Sequence, residues 1–462
     1  MNVALLIASV AASLMQASPA SAQHASHAGM HMPPAPPAQT AEDAPSPAPV
    51  DHSTMQHGDM GGMAMPEHRS RMAMTGALGS YAMGRESSGT SWQPDTSRHD
   101  ALHAMHGDWM LMAHGVVNVV ADHQSGPRGD DATFVSGMLM GMARRPLGDG
   151  TLQFKAMLSP DPLMGARGYP LLLASGETAN GEDRLVDRQH PHDAFMELSA
   201  SISHNLGPAS SVFVYGGLPG EPAFGPPAFM HREAIMDSPE APITHHWLDS
   251  THISMGVLTA GVVHDRTKIE VSRFNAREPD QHRWNIETGA LDSTAVRASW
   301  NPTGTLALQA SWGDFRDPEL LEPGVDQKRW SASALYARDV APGRRVAATL
   351  AWGRKSVQHH GESFDDDAFA AEASLKQDDW TFFSRGELTE NRELVDADDG
   401  HGAAYRVGKV SLGVVRDMRI SRSVSFGVGG LVAVDFVPEG LADAYGGRHA
   451  TGAMAFARFK LD

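Results

Sequence analysis

The sequence predicts an all-β fold: a transmembrane antiparallel β-barrel of about 16 strands, preceded by a disordered His/Met-rich N-terminal tail. Three observations predict it. From about Gly107 to Asp462, short segments alternate apolar and polar residues with a period of two. The links between them alternate between tight turns and long loops. Residues 23–106 are rich in Pro, Ala, His and Met, a composition that cannot bury a core.

The first 22 residues read as a secretory leader. MNVALLIASVAASLMQ is an apolar run of signal-peptide length, and Ala20-Ser21-Ala22 is a small-x-small cleavage site, so cleavage after Ala22 and export are expected. The tail follows, from 23 to 106. It runs HASHAGMHM (24–32), a Pro/Ala linker (32–50), DHSTMQHGDMGGMAM (51–65), RMAM (71–74) and the start of HDALHAMHGDWMLMAH (99–114). Thioether sulfur is a soft ligand favouring Cu(I), and imidazole suits both Cu(I) and Cu(II). Copper is therefore the expected ion, with His24, His27, Met30, His31, Met32, His52, Met55, His57, Met60, Met63, Met65, His103 and His106 as ligands. A tail of this composition also fits a passive spacer, since methionine and histidine accumulate in low-complexity segments without a ligand. The chain has no cysteine, which excludes a lipoprotein anchor, a disulfide framework and a Cys-His-Met blue-copper centre.

After the leader no stretch approaches the roughly 20 apolar residues of a membrane-spanning helix. The pattern is that of strands. In TLALQASW (305–312), Leu306, Leu308, Ala310 and Trp312 oppose Thr305, Gln309 and Ser311; RVAATLAW (345–352) and RWSASALYA (329–337) repeat the alternation with an aromatic near the end of the apolar face. Such segments recur near 108–122, 132–145, 150–159, 192–205, 210–218, 250–264, 267–275, 292–300, 304–313, 328–338, 343–354, 367–376, 380–388, 405–417, 423–435 and 449–460.

The links supply a second signal. RRPLGDG, NLGPAS, HDRT, NPTG, VAPGRR, KQDD and RDMRISRS are tight turns, several carrying arginine. Between them lie long links such as 163–191 and 220–249, and the acidic runs ESFDDD, ENRELVDADDG and PEGLAD. The formal net charge of −18 is thus expected on one rim, with periplasmic turns on the other. A soluble sandwich gives no reason for this sorting. The last segment, GAMAFARFKLD (452–462), is similar to the C-terminal signal of outer-membrane proteins but ends Leu461-Asp462 rather than on an aromatic.

A His/Met-rich exported tail, chiefly DHSTMQHGDMGGMAM, ahead of an acidic-looped barrel resembles the copper-resistance outer-membrane proteins of Gram-negative bacteria, the CopB-like group. The resemblance covers the layout, and its specific residues lie in the tail. It implies copper binding, sequestration or passage that supports copper tolerance. The expected surroundings are outer-membrane lipid and lipopolysaccharide, the barrel assembly machinery, metal ions and periplasmic copper proteins, with the tail in the periplasm.

Two loop clusters stand apart. DRQHPHD (187–193) brings His190 and His192 beside Asp187 and Asp193; THHWLDSTH (244–252) brings His245 and His246 beside Asp249 and His252. Should the two meet at a barrel mouth, His190, His192, His245 and His246 would form a nitrogen site for Cu(II) or Zn(II). The same residues also fit a structural role, with Arg184, Arg188 and Arg232 pairing the carboxylates.

Signatures of catalysis are missing: no H-E-x-x-H, G-x-S-x-G, P-loop or dinucleotide fingerprint occurs, and no enzyme is expected. The acidic balance argues against nucleic acid. The competing expectation is a general porin-like or structural outer-membrane barrel with a passive tail.

Overall fold

Alternating faces dictate the architecture. A computed structural model describes residues 75–98, 100–249, 253–359, 362–395 and 402–461. The first strand, β1 (Leu102–His106), forms a hairpin with β2 (Trp109–Gln124); β3 (Asp131–Leu147) and β4 (Gly150–Leu158) follow. Next come β5 (Tyr169–Thr178), β6 (Arg184–Gln189), β7 (Phe195–Asn205), β8 (Ser210–Gly217), β9 (Val257–His264) and β10 (Thr267–Phe274). Then follow β11 (Ser293–Thr303), β12 (Leu306–Phe315), β13 (Gln327–Ala341), β14 (Arg344–His359) and β15 (Glu362–Gln377). The chain closes through β16 (Trp380–Asn391), β17 (Tyr405–Arg419), β18 (Val424–Phe436) and β19 (His449–Leu461). Each of β2–β4 and β7–β19 pairs antiparallel with its neighbours, and β19 pairs back onto β2 from Gly452↔Gln124 to Leu461↔Gly115. Closed in this way, the 16-strand antiparallel barrel leaves no free edge in the ring.

Period two sorts the two faces of this wall. Outward residues are apolar and exposed, among them Ile269, Leu350, Leu412 and Val432. Aromatics sit towards both rims: Trp300, Trp380 and Phe459 near the tight turns, and the cross-strand pairs Trp312↔Trp330 and Trp352↔Phe369 nearer the other end. Inward residues are buried, and many are polar or charged. Lys268 and Arg297 meet Glu270, and Arg385 and Lys409 meet Glu240. Alternating faces of this kind mark a wall that is lipid-facing outside and polar inside.

The lumen is filled from both ends. Residues 75–98 cross it near the tight turns, held by donors on the wall: Ser203 and Ser211 donate to the carbonyls of Ala77 and Leu78, Asn301 to that of Gln93, and Arg345 to that of Thr96. Arg85 donates twice to Asp95, at 2.7 and 2.9 Å, and its guanidinium also lies over the rings of Tyr81 and Trp92. From the opposite rim the 159–194 link enters as the two-stranded β5–β6 ribbon, and the 218–256 link folds down beside it.

Order begins earlier than the expected tail boundary at residue 106: 75–98 is folded into the lumen, and His103 and His106 lie in β1, exposed at the turn rim. Wall donors satisfy a Gly/Ser-rich backbone that has no periodic pattern of its own. ESFDDD is not loop but the start of β15, because Asp365, Asp366 and Asp367 extend the ladder opposite Ser356, Lys355 and Arg354. The leader 1–22 and the expected ligands His24, His27, Met30, His31, Met32, His52, Met55, His57, Met60, Met63 and Met65 lie outside the described residues, as does His252. Among the described residues no helix is long and apolar enough to cross a membrane.

Candidate metal centre

The two luminal links bring the two histidine clusters together. His190 follows β6 directly, and His245 and His246 occupy a single helical turn, α1 (His245–Leu248). The turn is clamped to the wall. Thr244 donates from N and Oγ1 to Glu387 at 3.1 and 2.8 Å, Leu248 packs on Ala351 and Ala370, and Lys355 Nζ stands 4.2 Å above the Trp247 ring. Further along, Arg232 donates to Asp249 at 2.9 Å and to both oxygens of Glu372 at 2.6 and 2.8 Å, so its charge is compensated although fully buried.

Ligand atoms of His190, His245 and His246 lie within 4.8 Å of one another, and all three side chains are buried. Among the described residues this is the one group of three histidine or carboxylate side chains with metal-ligand geometry. The tautomers follow from the partners. His190 Nδ1 lies 3.1 Å from Glu177 Oε2 and 3.3 Å from the Pro191 carbonyl, and His245 Nδ1 lies 2.7 Å from the Pro242 carbonyl. All three partners are acceptors, so each Nδ1 carries its proton and each Nε2 of a neutral ring carries a lone pair. Those two Nε2 atoms face each other at 3.2 Å. Two lone pairs repel at that separation unless a cation or an extra proton lies between them.

Burial decides against the extra proton. It holds His190 well below the ordinary imidazole pKa, with His245 and Arg283 adding to the effect, and brings His245 down to about 4. His246 is likewise held well below by burial, then by His245, His190 and Lys355. Its Nδ1 lies 3.7 Å from Glu278, and among the described residues its Nε2 has no hydrogen-bond partner. Gly176, at φ +109°, borders the site: a Cβ there would stand 2.9 Å from His246 Nε2. With metal–nitrogen distances near 2.0–2.1 Å, a tetrahedral pair of ligands stands about 3.3 Å apart, close to the separation found. The group fits a divalent borderline ion or copper, and the acceptors on Nδ1 are the outer partners such a site needs.

His192 does not join the three. Its Nδ1 lies 2.8 Å from Asp161, its ring centroid 6.4 Å from that of His190. Burial lowers its pKa, but the Asp161 hydrogen bond and charge outweigh that and raise it. The carboxylates of the two clusters serve structure: Asp187 accepts from Arg128 and Tyr445, Asp193 pairs with Arg283, and Asp249 with Arg232. Of the other arginines weighed as their partners, Arg184 pairs with Glu322 and Arg188 with Asp130. Sequence reasoning missed Glu177, Glu278 and Gly176. The first and last sit in a segment whose strand pattern is hidden by burial on both faces, and Glu278 lies in the 275–292 link, distant in sequence from both clusters.

No family model and no curated protein matches the chain. Solved structures similar to it include an anion-selective porin from Comamonas acidovorans, at 12% identity over 76% of this chain and 100% of that one, TM-score 0.45. OmpF of Salmonella typhi in complex with daunomycin matches at 11% identity over 78% and 100%, TM-score 0.49. OmpT of Vibrio cholerae matches at 10% over 78% and 100%, TM-score 0.44.

Proposed function

We propose that this chain is an outer-membrane barrel of a Gram-negative bacterium that binds metal ions inside its lumen and, through copper binding or passage, supports copper tolerance. The observation that carries the reading is the pair of imidazole Nε2 atoms 3.2 Å apart in a buried site, with the His246 Nε2 beside them unpartnered among the described residues. Three protein ligands leave a fourth position for water or for a ligand that delivers or removes the ion. The apolar outer belt and an inner face rich in buried charged and polar residues support the membrane setting. The ligand-rich N-terminal sequence, whose layout resembles the CopB-like group, would raise the ion concentration near the barrel without any catalytic step.

A second reading rests on architecture. A closed wall of 16 strands is of the size that can enclose an aqueous channel, and a general porin-like or structural barrel needs no ligand. Two measurements on the full chain separate them. Under the metal reading, a triple variant His190→Gln/His245→Gln/His246→Gln lowers both copper tolerance of the native host and copper retained by the purified protein, while planar bilayers show little steady conductance through the filled lumen. Unchanged tolerance and copper content, together with steady small-ion conductance, would establish the porin-like reading instead.

A further inference from the structure

A second set of ligand-type side chains lines the lumen on another sector of the wall. On β2 and β3 the register places Met112 opposite Met142, His114 opposite Met140 and Val116 opposite Met138; β4 then sets Met157 opposite Met140. Residues two apart share a face, and directly opposed residues have Cβ atoms about 4.5–5.5 Å apart. The face is the inner one: Met112, Met138 and Met157 are buried, whereas the intervening Leu111, Leu139 and Leu158 are exposed outside. Across the lumen the turn Phe229–His231 presents Met230, which packs against the Met138 and Met157 cluster, and His231, whose ring lies 6.3 Å from that of His114. Between wall and turn is a cavity of about 140 Å³.

We infer that this cavity is a binding site for a soft monovalent d10 cation, Cu(I) or Ag(I), held by thioethers of Met112, Met140, Met142 and Met230 with the imidazoles of His114 and His231. It rests on the ion-handling reading for its setting, but other side chains carry it. Methionine also fills irregular cores, and a filler would serve as well in the form of leucine. Filling does not account for an imidazole set into the thioether ladder, nor for a second imidazole facing it across a cavity. Sulfur already acts as an acceptor at the edge of this patch, where Arg144 lies 3.5 Å from Met83 Sδ and 3.7 Å from Met110 Sδ. Elsewhere the buried inner wall combines ion pairs such as Lys268–Glu270–Arg297 with aromatic and branched clusters such as Phe274 and Phe315. A thioether site favours Cu(I) and Ag(I) over Zn(II), the reverse of an oxygen-rich one. The two centres adjoin: the His192 ring lies 6.3 Å from that of Phe229, the residue before Met230, and 6.4 Å from His190.

The test uses full-length protein in detergent micelles, labelled with carbon-13 at the methionine methyls and titrated with Ag(I), a diamagnetic d10 probe. Assignment by single Met→Leu variants separates cavity methyls from those of the N-terminal segment. The methyls of Met112, Met140, Met142 and Met230 should shift together and saturate at about one ion per barrel, the stoichiometry of a single site. The shifts should persist in the His190→Gln/His245→Gln/His246→Gln variant, which removes the imidazole centre alone. A Met140→Leu/Met230→Leu variant should abolish the response of Met112 and Met142. Cavity methyls that stay in place under excess Ag(I) while others titrate would overturn the inference, as would a double variant that leaves the response unchanged. Should that variant not fold, the wild-type titration alone decides.

Discussion

At His190 and His245, the proposed ion binding turns on which nitrogen holds the proton. Acceptors on each Nδ1 leave two Nε2 lone pairs 3.2 Å apart, an arrangement that only a cation relieves once burial has made protonation unfavourable. Glu177 fixes one of these rings, so Glu177→Gln should lower Cu(II) or Zn(II) affinity about 10- to 100-fold in a competition titration while leaving all three imidazoles in place. An unchanged affinity would show that the carboxylate serves only Arg283. Proton competition gives a second expectation. Burial depresses His245 to about 4, with Asp249 favouring its charged form and Arg385 opposing it; around the other two rings burial is again the main cause, and Arg283, Lys355 and Arg329 also oppose protonation. An ordinary imidazole titrates near 6.5, so the neutral rings also contribute stability that is present above about 6.5 and lost as pH falls towards about 4. Metal measured by displacement should accordingly survive at about pH 5.5 and be lost towards pH 4. Half-loss near 6.5 would indicate solvent-exposed ligands instead.

The elements divide into those that write their own pattern and those that borrow order from the wall. Ladder strands such as β12 and β14 were legible from alternation and from turns such as NPTG and VAPGRR, because one face meets lipid and the other meets charge. The segment 75–98 was not legible. Its carbonyls are satisfied by Ser203, Ser211, Asn301 and Arg345, none of which is near it in sequence. The β5–β6 ribbon was hidden for another reason: YPLLLASGET is buried along its whole length, which erases the two-residue period. Arg85 tests the plug. Arg85→Ala leaves Asp95 without its bidentate partner and should destabilise the segment by about 3–5 kcal/mol. Hydrogen exchange by mass spectrometry should then show 75–98 exchanging much faster with the ladder unchanged, whereas equal protection in variant and wild type would count against the plug.

For the whole molecule, lipid outside and ion pairs inside make opposite demands on neighbouring residues of one strand. Leu350, at mid-strand on the outer face, should tolerate no charge: Leu350→Arg is expected to cost about 2–4 kcal/mol in lipid vesicles, read by urea unfolding. An effect near zero would contradict the assignment of that face to lipid. The candidate site was half legible. HPHD and HHW marked the histidines that the two luminal links bring together, because imidazoles clustered among prolines and carboxylates have few packing uses. What sequence did not carry was orientation: which three rings converge depends on a contact between links 55 residues apart, and His192 turns instead to Asp161, 31 residues away in its own link. The most direct test of the central claim is pulsed EPR of full-length protein loaded with Cu(II), compared with His190→Gln/His245→Gln/His246→Gln shown to be folded by heat-modified electrophoretic mobility. The account predicts that the wild type carries one additional Cu(II), coupled to three imidazole nitrogens, that the variant lacks. Identical copper stoichiometry and nitrogen coupling in the two proteins would contradict it.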